Sequence, residues 1–167
     1  MDVDFLFARQ HELRLPKSVK DKALVSFVSS QPNGPHRPRE NAPFQKMYDF
    51  WFASILWAEH HDLEPIIDTK SVKFIAVGPT DADTRLENWM LELLLLIAVC
   101  RLQPDVNTLP DASDVFKLAN ELAVAGAQPL LDRLQGTDDL MEPSLYTTVE
   151  LFRETAGCGK ESPRAGR

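Results

Sequence analysis

Two long, almost entirely apolar stretches constrain the fold of this chain more than any other feature of its 167 residues. Between Met47 and Ala58 only Asp49 and Ser54 are clearly polar, and "NWMLELLLLIAVC" holds a single charged residue, Glu92. A helix that is apolar nearly all round has to be enclosed by other elements or by a second subunit. Because these apolar runs are about a dozen residues long, against roughly 20 needed to span a bilayer, we expect core helices and no membrane partner.

The expected bounds of these two helices follow from local signals. The first is predicted from Phe44 to about Leu63, because the residue before Pro65 is disfavoured in helical geometry. The second is predicted over Thr84–Cys100, where "TRLE" fits a capping box at the start and Cys100 is interpreted as a small core residue at the end. We expect these two helices to form the centre of the molecule.

The remaining segments predict shorter elements around that centre. "ELRLP" and "SVKFIAV" have the alternation or β-branched content of strands and should pair as one small sheet. Ser18 is the predicted cap of a helix in "KSVKDKALVSF". A later helix contains "AVAGA", and these small residues would let a neighbouring backbone approach that helix closely. Pro129 suits the first turn of another short helix, and a last helix is expected over about Ser144–Ala156. The predicted fold is therefore mainly α, a single-domain helical bundle of five to seven helices with a small two-stranded β element.

Composition and local bias give the domain organisation and the compartment. Residues 1–156 are predicted to form a single helical domain, residues 30–43 a proline-rich loop or arm, and residues 157–167 a disordered tail. The N-terminal "MDVDFLFARQ" lacks the pattern of a signal peptide. Two cysteines are too few for a disulfide framework and are expected to stay reduced. We therefore expect a cytoplasmic protein.

The net charge of −7 is unevenly distributed. Eight Lys or Arg stand against three acids between residues 9 and 46, whereas seven stand against nineteen between residues 47 and 156. A basic segment can neutralise phosphates or meet an acidic protein, although a solvated face has the same composition. The candidate nucleic-acid or partner-binding residues are Arg14, Lys17, Lys20, Lys22, Arg37, Arg39 and Lys46.

The sequence "AEHHD" is the most chemistry-like cluster. Adjacent helical residues project about 100° apart, so His60 and His61 cannot chelate one metal ion from a regular helix. Imidazoles in a last turn can instead interact with free carbonyl groups and the helix dipole. The open alternative is a metal-dependent hydrolase that uses His60, His61 and the Asp62 carboxylate. Nucleophile and phosphate-binding motifs are missing, and no cofactor is predicted.

Three stretches carry a resemblance to a known class of proteins. "LRLPKSVKDKALVSF" and "YDFWFASILWA" resemble the N-terminal pattern of small proteins from bacterial DNA phosphorothioation (Dnd) systems, and "ASDVFKLANELAVAGAQPLLDRL" resembles accessory proteins of such phage-defence operons. The resemblance implies a non-catalytic component that contacts DNA or a larger defence enzyme, and it brings no catalytic residues. Ribbon-helix-helix regulators share the strand-helix-helix order and are a further alternative. The acidic balance favours a protein partner, with self-association to bury surplus aromatic surface.

Overall fold

The computed structural model describes residues 6, 8–29, 42–78, 86–102 and 109–136. These residues form two strands and four helices, which are, in chain order, β1 (His11–Pro16), α1 (Lys17–Ser26), α2 (Met47–His60), β2 (Ser71–Val77), α3 (Asn88–Leu102) and α4 (Ala112–Gln135). The prediction of a mainly α fold with a small two-stranded β element is confirmed. The predicted arm lies outside the described residues except at its last two positions. The helix expected at 144–156 and the tail at 157–167 lie entirely outside them.

The two predicted strands pair as an antiparallel ribbon. Pro16 faces Ser71 at one end and His11 faces Val77 at the other, with a register irregularity between Leu13 and Arg14. Leu13 and Leu15 are fully buried while the residues between and beside them are not. The ribbon therefore covers the core with one face, as the alternation in "ELRLP" predicts.

The centre of the molecule is α4 packed on α2, and not the pair of apolar helices that the sequence suggests. α4 packs most extensively on α2 and also contacts β1, α3 and α1. Its apolar positions are buried along its whole length because it lies between the other elements. The most amphipathic long helix thus organises the core, whereas α3 lies against one side of it.

α4 is one continuous helix that passes through Pro129, so the prediction of a new helix starting there is wrong. Leu130, Leu131 and Leu134 continue the apolar periodicity beyond the proline and are buried. Their burial offsets the hydrogen bond that a proline nitrogen cannot donate.

The crossing of α2 and α4 depends on Gly126. A Cβ atom built there would lie 1.9 Å from the carbonyl oxygen of Ser54 and 3.1 Å from the amide nitrogen of Ala58. The two backbones therefore touch where Gly126 lies, as the small residues of "AVAGA" predict. The Ser54 hydroxyl is fully buried at this crossing and donates to the carbonyl oxygen of Phe50 at 2.8 Å.

Several helix ends differ from the predictions. α1 begins at Lys17, directly after β1, so Ser18 lies inside its first turn and does not cap it. α2 begins three residues after Phe44, and α3 begins at Asn88, while Thr84 lies outside the described residues. Cys100 is exposed, which corrects its interpretation as a core residue. In the described part of the chain no helix is both long enough and apolar enough to cross a membrane.

Candidate interaction site

A surface groove lies between β1, the segment that enters β2, and α4. It encloses about 360 Å³. The backbone N–H of Ile66 donates to the carbonyl oxygen of Glu121 at 3.1 Å, which fixes the wall opposite β1 to α4. Both apolar and charged side chains line the groove, whose lining includes His11, Glu12, Arg14, Ile66, Ile67, Asp68, Phe116, Lys117, Asn120, Glu121 and Val124.

Asn120 of α4 holds β1 in place at the bottom of the groove. Its Oδ1 atom accepts from the backbone N–H of Arg14 at 2.8 Å and from Nε1 of Trp51 at 3.1 Å. Its Nδ2 atom donates to the carbonyl oxygen of Glu12 at 2.9 Å. One side-chain amide thus satisfies a backbone donor and a backbone acceptor of β1, as a neighbouring strand would. Through Trp51 the same amide also connects β1 to α2.

A charged cluster crosses the ribbon at the rim of the groove. The Nε and Nη2 atoms of Arg14 lie 3.2 and 3.0 Å from Oε2 of Glu12, and Arg14 Nη1 donates to the carbonyl oxygen of Ser71 at 3.2 Å. Lys73 Nζ lies 3.3 Å from the other carboxylate oxygen of Glu12. The hydrogen bonds from Arg14 and Lys73 lower the pKa of Glu12. This cluster fixes the orientation of the Arg14 guanidinium.

His11 forms the aromatic end of the groove together with Phe116. The two rings stack with centroids 4.3 Å apart and planes 13° from parallel. Burial lowers the pKa of His11, the hydrogen bond to the backbone of Leu6 raises it, and the positive charge of Arg9 lowers it further. Because burial has the largest effect, the neutral imidazole is favoured against Phe116.

A second depression adjoins the groove on the other side of the exposed ridge of α4. It encloses about 320 Å³, and Lys117 and Glu121 line both depressions. Ile66 and Ile67 border the first depression and are 50% and 76% exposed. Leu102 lines the second and is 40% exposed, and Leu109 precedes its lining residue Pro110 and is 59% exposed. Three of the six large exposed hydrophobic residues in the described ranges therefore line this double groove, by which we mean the two depressions together, and Leu109 adjoins it in sequence.

The structure separates the basic residues that the sequence groups together. Arg14 lines the groove, Lys17 and Lys22 are exposed on α1, and Lys20 is half-buried with its Nζ atom 3.4 Å from Oδ1 of Asp21. Arg37 and Arg39 lie outside the described residues.

Lys46 stands at the start of α2. Its Nζ atom is 5.2 Å from the centroid of the Tyr48 ring, and its backbone N–H donates to Oδ2 of Asp49 at 2.8 Å. Burial raises the pKa of Asp49, while the hydrogen bond from Lys46 opposes that rise. Lys46 thus has a structural part in starting the helix.

The histidine cluster lies at the C-terminal end of α2. The ring of His61 packs on Trp57 with centroids 4.4 Å apart, and the rings of His60 and His61 are 4.9 Å apart and nearly perpendicular. Asp62 has a φ of 51° and lies just past the helix end, where the left-handed conformation is common. Within the described ranges, no group of three or more His, Cys, Asp or Glu is placed to hold a metal ion.

An ion pair ties this end of α2 to α3. Arg101 Nε lies 2.8 Å from Oε1 of Glu59, and Arg101 Nη2 lies 3.8 Å from Oδ1 of Asp62. The Asp62 carboxylate, which the hydrolase alternative uses, thus lies near the Arg101 guanidinium. A structural role at the helix end accounts for the contacts of His61 and Asp62.

Comparison with protein-family models, with curated proteins and with solved structures finds no match.

Proposed function

We propose that this chain is a non-catalytic accessory protein that binds a segment of another protein in the double groove. The observation that carries the proposal is the grouping of large exposed apolar side chains around two adjoining depressions. Scattered single hydrophobic residues are ordinary on a protein surface, whereas a contiguous apolar patch with a polar rim is typical of a protein-binding site.

The charges around the double groove favour a basic partner segment. Four carboxylates line it, on Glu12, Asp68, Asp114 and Glu121, together with two cationic side chains, Arg14 and Lys117. Opposite charge on the partner raises the association rate and selects among partners more than it adds affinity. We therefore expect a short segment with two or more apolar side chains next to a Lys or Arg.

The rigid floor supports binding by a preformed site. Phe116 is 2% exposed and stacks on His11, and Asn120 fixes β1 with two hydrogen bonds and accepts a third from Trp51 of α2. A wall that is already ordered loses little conformational entropy when a ligand binds. The exposed Ile67 would supply new buried apolar area on binding.

The biological setting of the proposal is a subunit of a DNA-modification or phage-defence complex. Its support is the resemblance of the three short stretches given above. In such a complex the partner segment would belong to a larger enzyme of the assembly.

The test is selection of peptides from a random displayed library on the immobilised full chain. Selected peptides should carry apolar residues beside Lys or Arg, and should shift the backbone amide NMR signals of residues 66–71 and 113–124.

Ile67→Asp should weaken binding of these peptides by roughly tenfold or more, as expected for loss of a buried apolar contact. Val25→Asp is the matched control, because Val25 is 55% exposed on α1, away from the double groove. Peptides whose signals map elsewhere, or an equal loss in the control, would refute the proposal.

DNA binding by α1 is the second candidate function. Lys17 and Lys22 are exposed there, so their ammonium groups are accessible to phosphates. If duplex DNA binds, the logarithm of the association constant should fall steeply with the logarithm of the salt concentration, and replacing Lys17 and Lys22 by Ala should reduce that slope. Replacing the exposed Lys70 and Lys117 by Ala removes the same charge and is the control.

The regulator alternative gains no support from the ribbon. A β-ribbon that reads DNA uses strands in a groove, but β1 pairs with β2 of its own chain and is also bonded to Asn120. Binding that depends on base sequence at constant salt would be the sign of such a regulator.

A further inference from the structure

The ridge of α4 divides the double groove into its two depressions. Lys117 and Glu121 are the two residues that line both of them. They lie four positions apart on the helix, so their side chains are neighbours along the ridge. The backbone carbonyl oxygen of Glu121 also accepts from the N–H of Ile66 at 3.1 Å, which places Glu121 beside the exposed apolar wall. A segment that passes from one depression to the other therefore passes over Lys117 and Glu121.

The four carboxylates of the double groove differ in what they already bind. The carboxylate of Glu12 is paired with Arg14 and Lys73. Oδ1 of Asp68 accepts from the backbone N–H of Lys70 at 2.8 Å. These two carboxylates stabilise the ribbon and the segment that enters β2, and are less available to a partner.

The other two carboxylates belong to Asp114 and Glu121. In the described part of the chain neither forms a side-chain hydrogen bond or an ion pair, and Lys117 is likewise unpaired although it lies at helical spacing from both. Asp114 is exposed in the first turn of α4, where an acid favours the helix dipole, and it lines only the second depression. Glu121 is half-buried and lines both depressions. Among the described residues Glu121 therefore supplies the unpaired carboxylate at the centre of the double groove.

From this geometry we propose that Glu121 binds the cationic side chain of the partner, and that the partner segment crosses the ridge of α4 with its Lys or Arg between two apolar residues, one in each depression. The inference rests on the proposed function of the double groove. It adds the residue that selects the partner and the order of residues in the partner segment.

The width of α4 sets the spacing of the two apolar residues. A helix with its side chains is about 10 Å across, and an extended chain advances about 3.3 Å per residue. The two apolar residues of the partner therefore lie about three positions apart, with the Lys or Arg on a residue between them. A segment with its cation outside the apolar pair cannot fill both depressions and reach Glu121 at the same time.

The charges at the ridge favour a cation over an anion. Two carboxylates, on Asp114 and Glu121, stand there against the single ammonium group of Lys117. Residues 47–156 hold seven Lys or Arg against nineteen Asp or Glu, so the wider field also attracts a cation. When the segment covers the ridge it displaces water from Glu121, which strengthens the attraction between the two charges.

The main test uses two displayed peptide libraries on the immobilised full chain. In the first library a fixed Arg stands between two fixed Leu residues three positions apart. In the second the Arg stands outside the two Leu residues, and in both libraries Lys and Arg are left out of the random positions. The first library should enrich more strongly than the second, because only its Arg reaches Glu121 while both leucines are buried.

A charge reversal tests Glu121 directly. On Glu121→Lys, a third library with Glu in place of the central Arg should enrich, whereas on the wild-type chain it should not. Lys117→Gln removes the neighbouring positive charge, and should bind the central-Arg peptides more tightly than the wild type does. The two substitutions on one ridge thus have effects of opposite sign, which a general loss of structure would not produce.

A double-mutant cycle measures the pair. The strongest peptide and its version with citrulline in place of Arg are titrated against the wild-type chain and Glu121→Gln. Each single change should weaken binding about two- to fivefold, the range of a partly exposed ion pair, and both changes together should weaken it no further. This coupling should shrink as the salt concentration rises. Asp132→Asn is the matched control, because Asp132 is an exposed acid of α4 that lines neither depression, and it should bind like the wild type.

The failures of the two proposals are distinguishable. If no library enriches, the double groove does not bind such segments, and the proposed function and the role of Glu121 fall together. If peptides enrich and shift the signals of residues 66–71 and 113–124, but show no coupling to Glu121 or no preference for a central Arg, the groove stands as a binding site and the assignment to Glu121 is overturned. An equal loss in Asp132→Asn would also overturn it, since the effect would then come from net charge alone.

Discussion

At the scale of single residues, Asn120 makes three hydrogen bonds to residues that are far away in the sequence. Replacing it by Ala would leave the backbone N–H of Arg14, the carbonyl oxygen of Glu12 and Nε1 of Trp51 without their partner. We expect Asn120→Ala to lower the free energy of unfolding by about 1–3 kcal/mol, the cost of leaving partly buried polar groups unpaired. Urea unfolding measures this change.

The control for Asn120 is another side-chain amide on the same helix. Gln128 is exposed, and its Nε2 atom donates to Oδ1 of Asp132. Its replacement by Ala should change the free energy of unfolding by less than about 0.5 kcal/mol, as is usual at the surface. Equal effects at both positions would mean that Asn120 does not hold β1.

His11 gives the molecule a pH dependence of known sign. Its pKa is lowered from 6.5 chiefly by burial, so between the folded-state pKa and 6.5 the unfolded chain binds more protons. The free energy of unfolding therefore falls as the pH drops from about 7 through 6.5, and levels off below the folded-state pKa. His11→Phe preserves a ring against Phe116 without a titrating group, and should flatten this part of the profile.

Urea unfolding at several pH values checks the His11 prediction. The two chains differ only at residue 11, so the comparison isolates the effect of that residue. Parallel profiles for the wild type and His11→Phe would contradict it.

At the scale of elements, the contact of α2 with α4 is the most extensive among the described elements, and it is close at Gly126. A methyl group at Gly126 would collide with the backbone of Ser54, which cannot move as a side chain can. Gly126→Ala should therefore destabilise the fold by about 2–3 kcal/mol or more, although Ala is the better helix former. At Gly136 the nearest atom to a Cβ is 3.3 Å away and φ is −86°, so Gly136→Ala is the control and should have a much smaller effect. Thermal unfolding compares the two, and a stabilised Gly126→Ala would contradict the close crossing.

For Pro129 the expected change in stability has the opposite sign from that at Gly126. Pro129 lies in the middle of α4, where a proline cannot donate the helical hydrogen bond. Its side chain is exposed to solvent, so replacing it removes no packing contact of the core. Pro129→Ala should raise the free energy of unfolding by about 1–2 kcal/mol, less than the full helix penalty because proline also restricts the unfolded chain. A loss of stability in urea would mean that the proline shapes the helix so that Leu130 and Leu131 reach the core.

The elements that the sequence predicts best are those whose signal is local. The alternation in "ELRLP" and the content of "SVKFIAV" predict both strands, and the apolar stretch around Trp51 predicts α2. The continuity of α4 through Pro129 was missed because buried leucines beyond the proline outweigh a strong local signal. Its central position was missed because that depends on packing between elements, which composition does not show.

The candidate site was harder to predict than the fold. Of the predicted binding residues that the structure describes, only Arg14 lines the groove. Asn120 had a usable signal, since it lies on the same helix face as Phe116 and Val124, four residues away on either side, where a polar residue needs a partner. Ile66 and Ile67 had none, because their exposure depends on how the segment after Pro65 is held on α4.

At the scale of the whole molecule, the ribbon of β1 and β2 is held in place by α4, the last described helix. β1 packs on α4, and Arg14 and Asn120 are 106 residues apart. A chain that ends at Leu102 therefore lacks the helix that covers α2 and the amide that holds β1. We expect it to show no cooperative thermal transition by circular dichroism, and a cooperative transition in that fragment would contradict the central role of α4.

The distance in sequence between Arg14 and Asn120 also has a consequence for synthesis. At about 5–20 residues per second, a ribosome adds Asn120 roughly 5–20 seconds after Arg14. During that interval the nascent chain carries β1 and the apolar α2 without their cover, which is the kind of surface that chaperones bind. Because α4 follows both elements in the chain and packs on them, the order of synthesis leaves the apolar surface of α2 uncovered until α4 has been made.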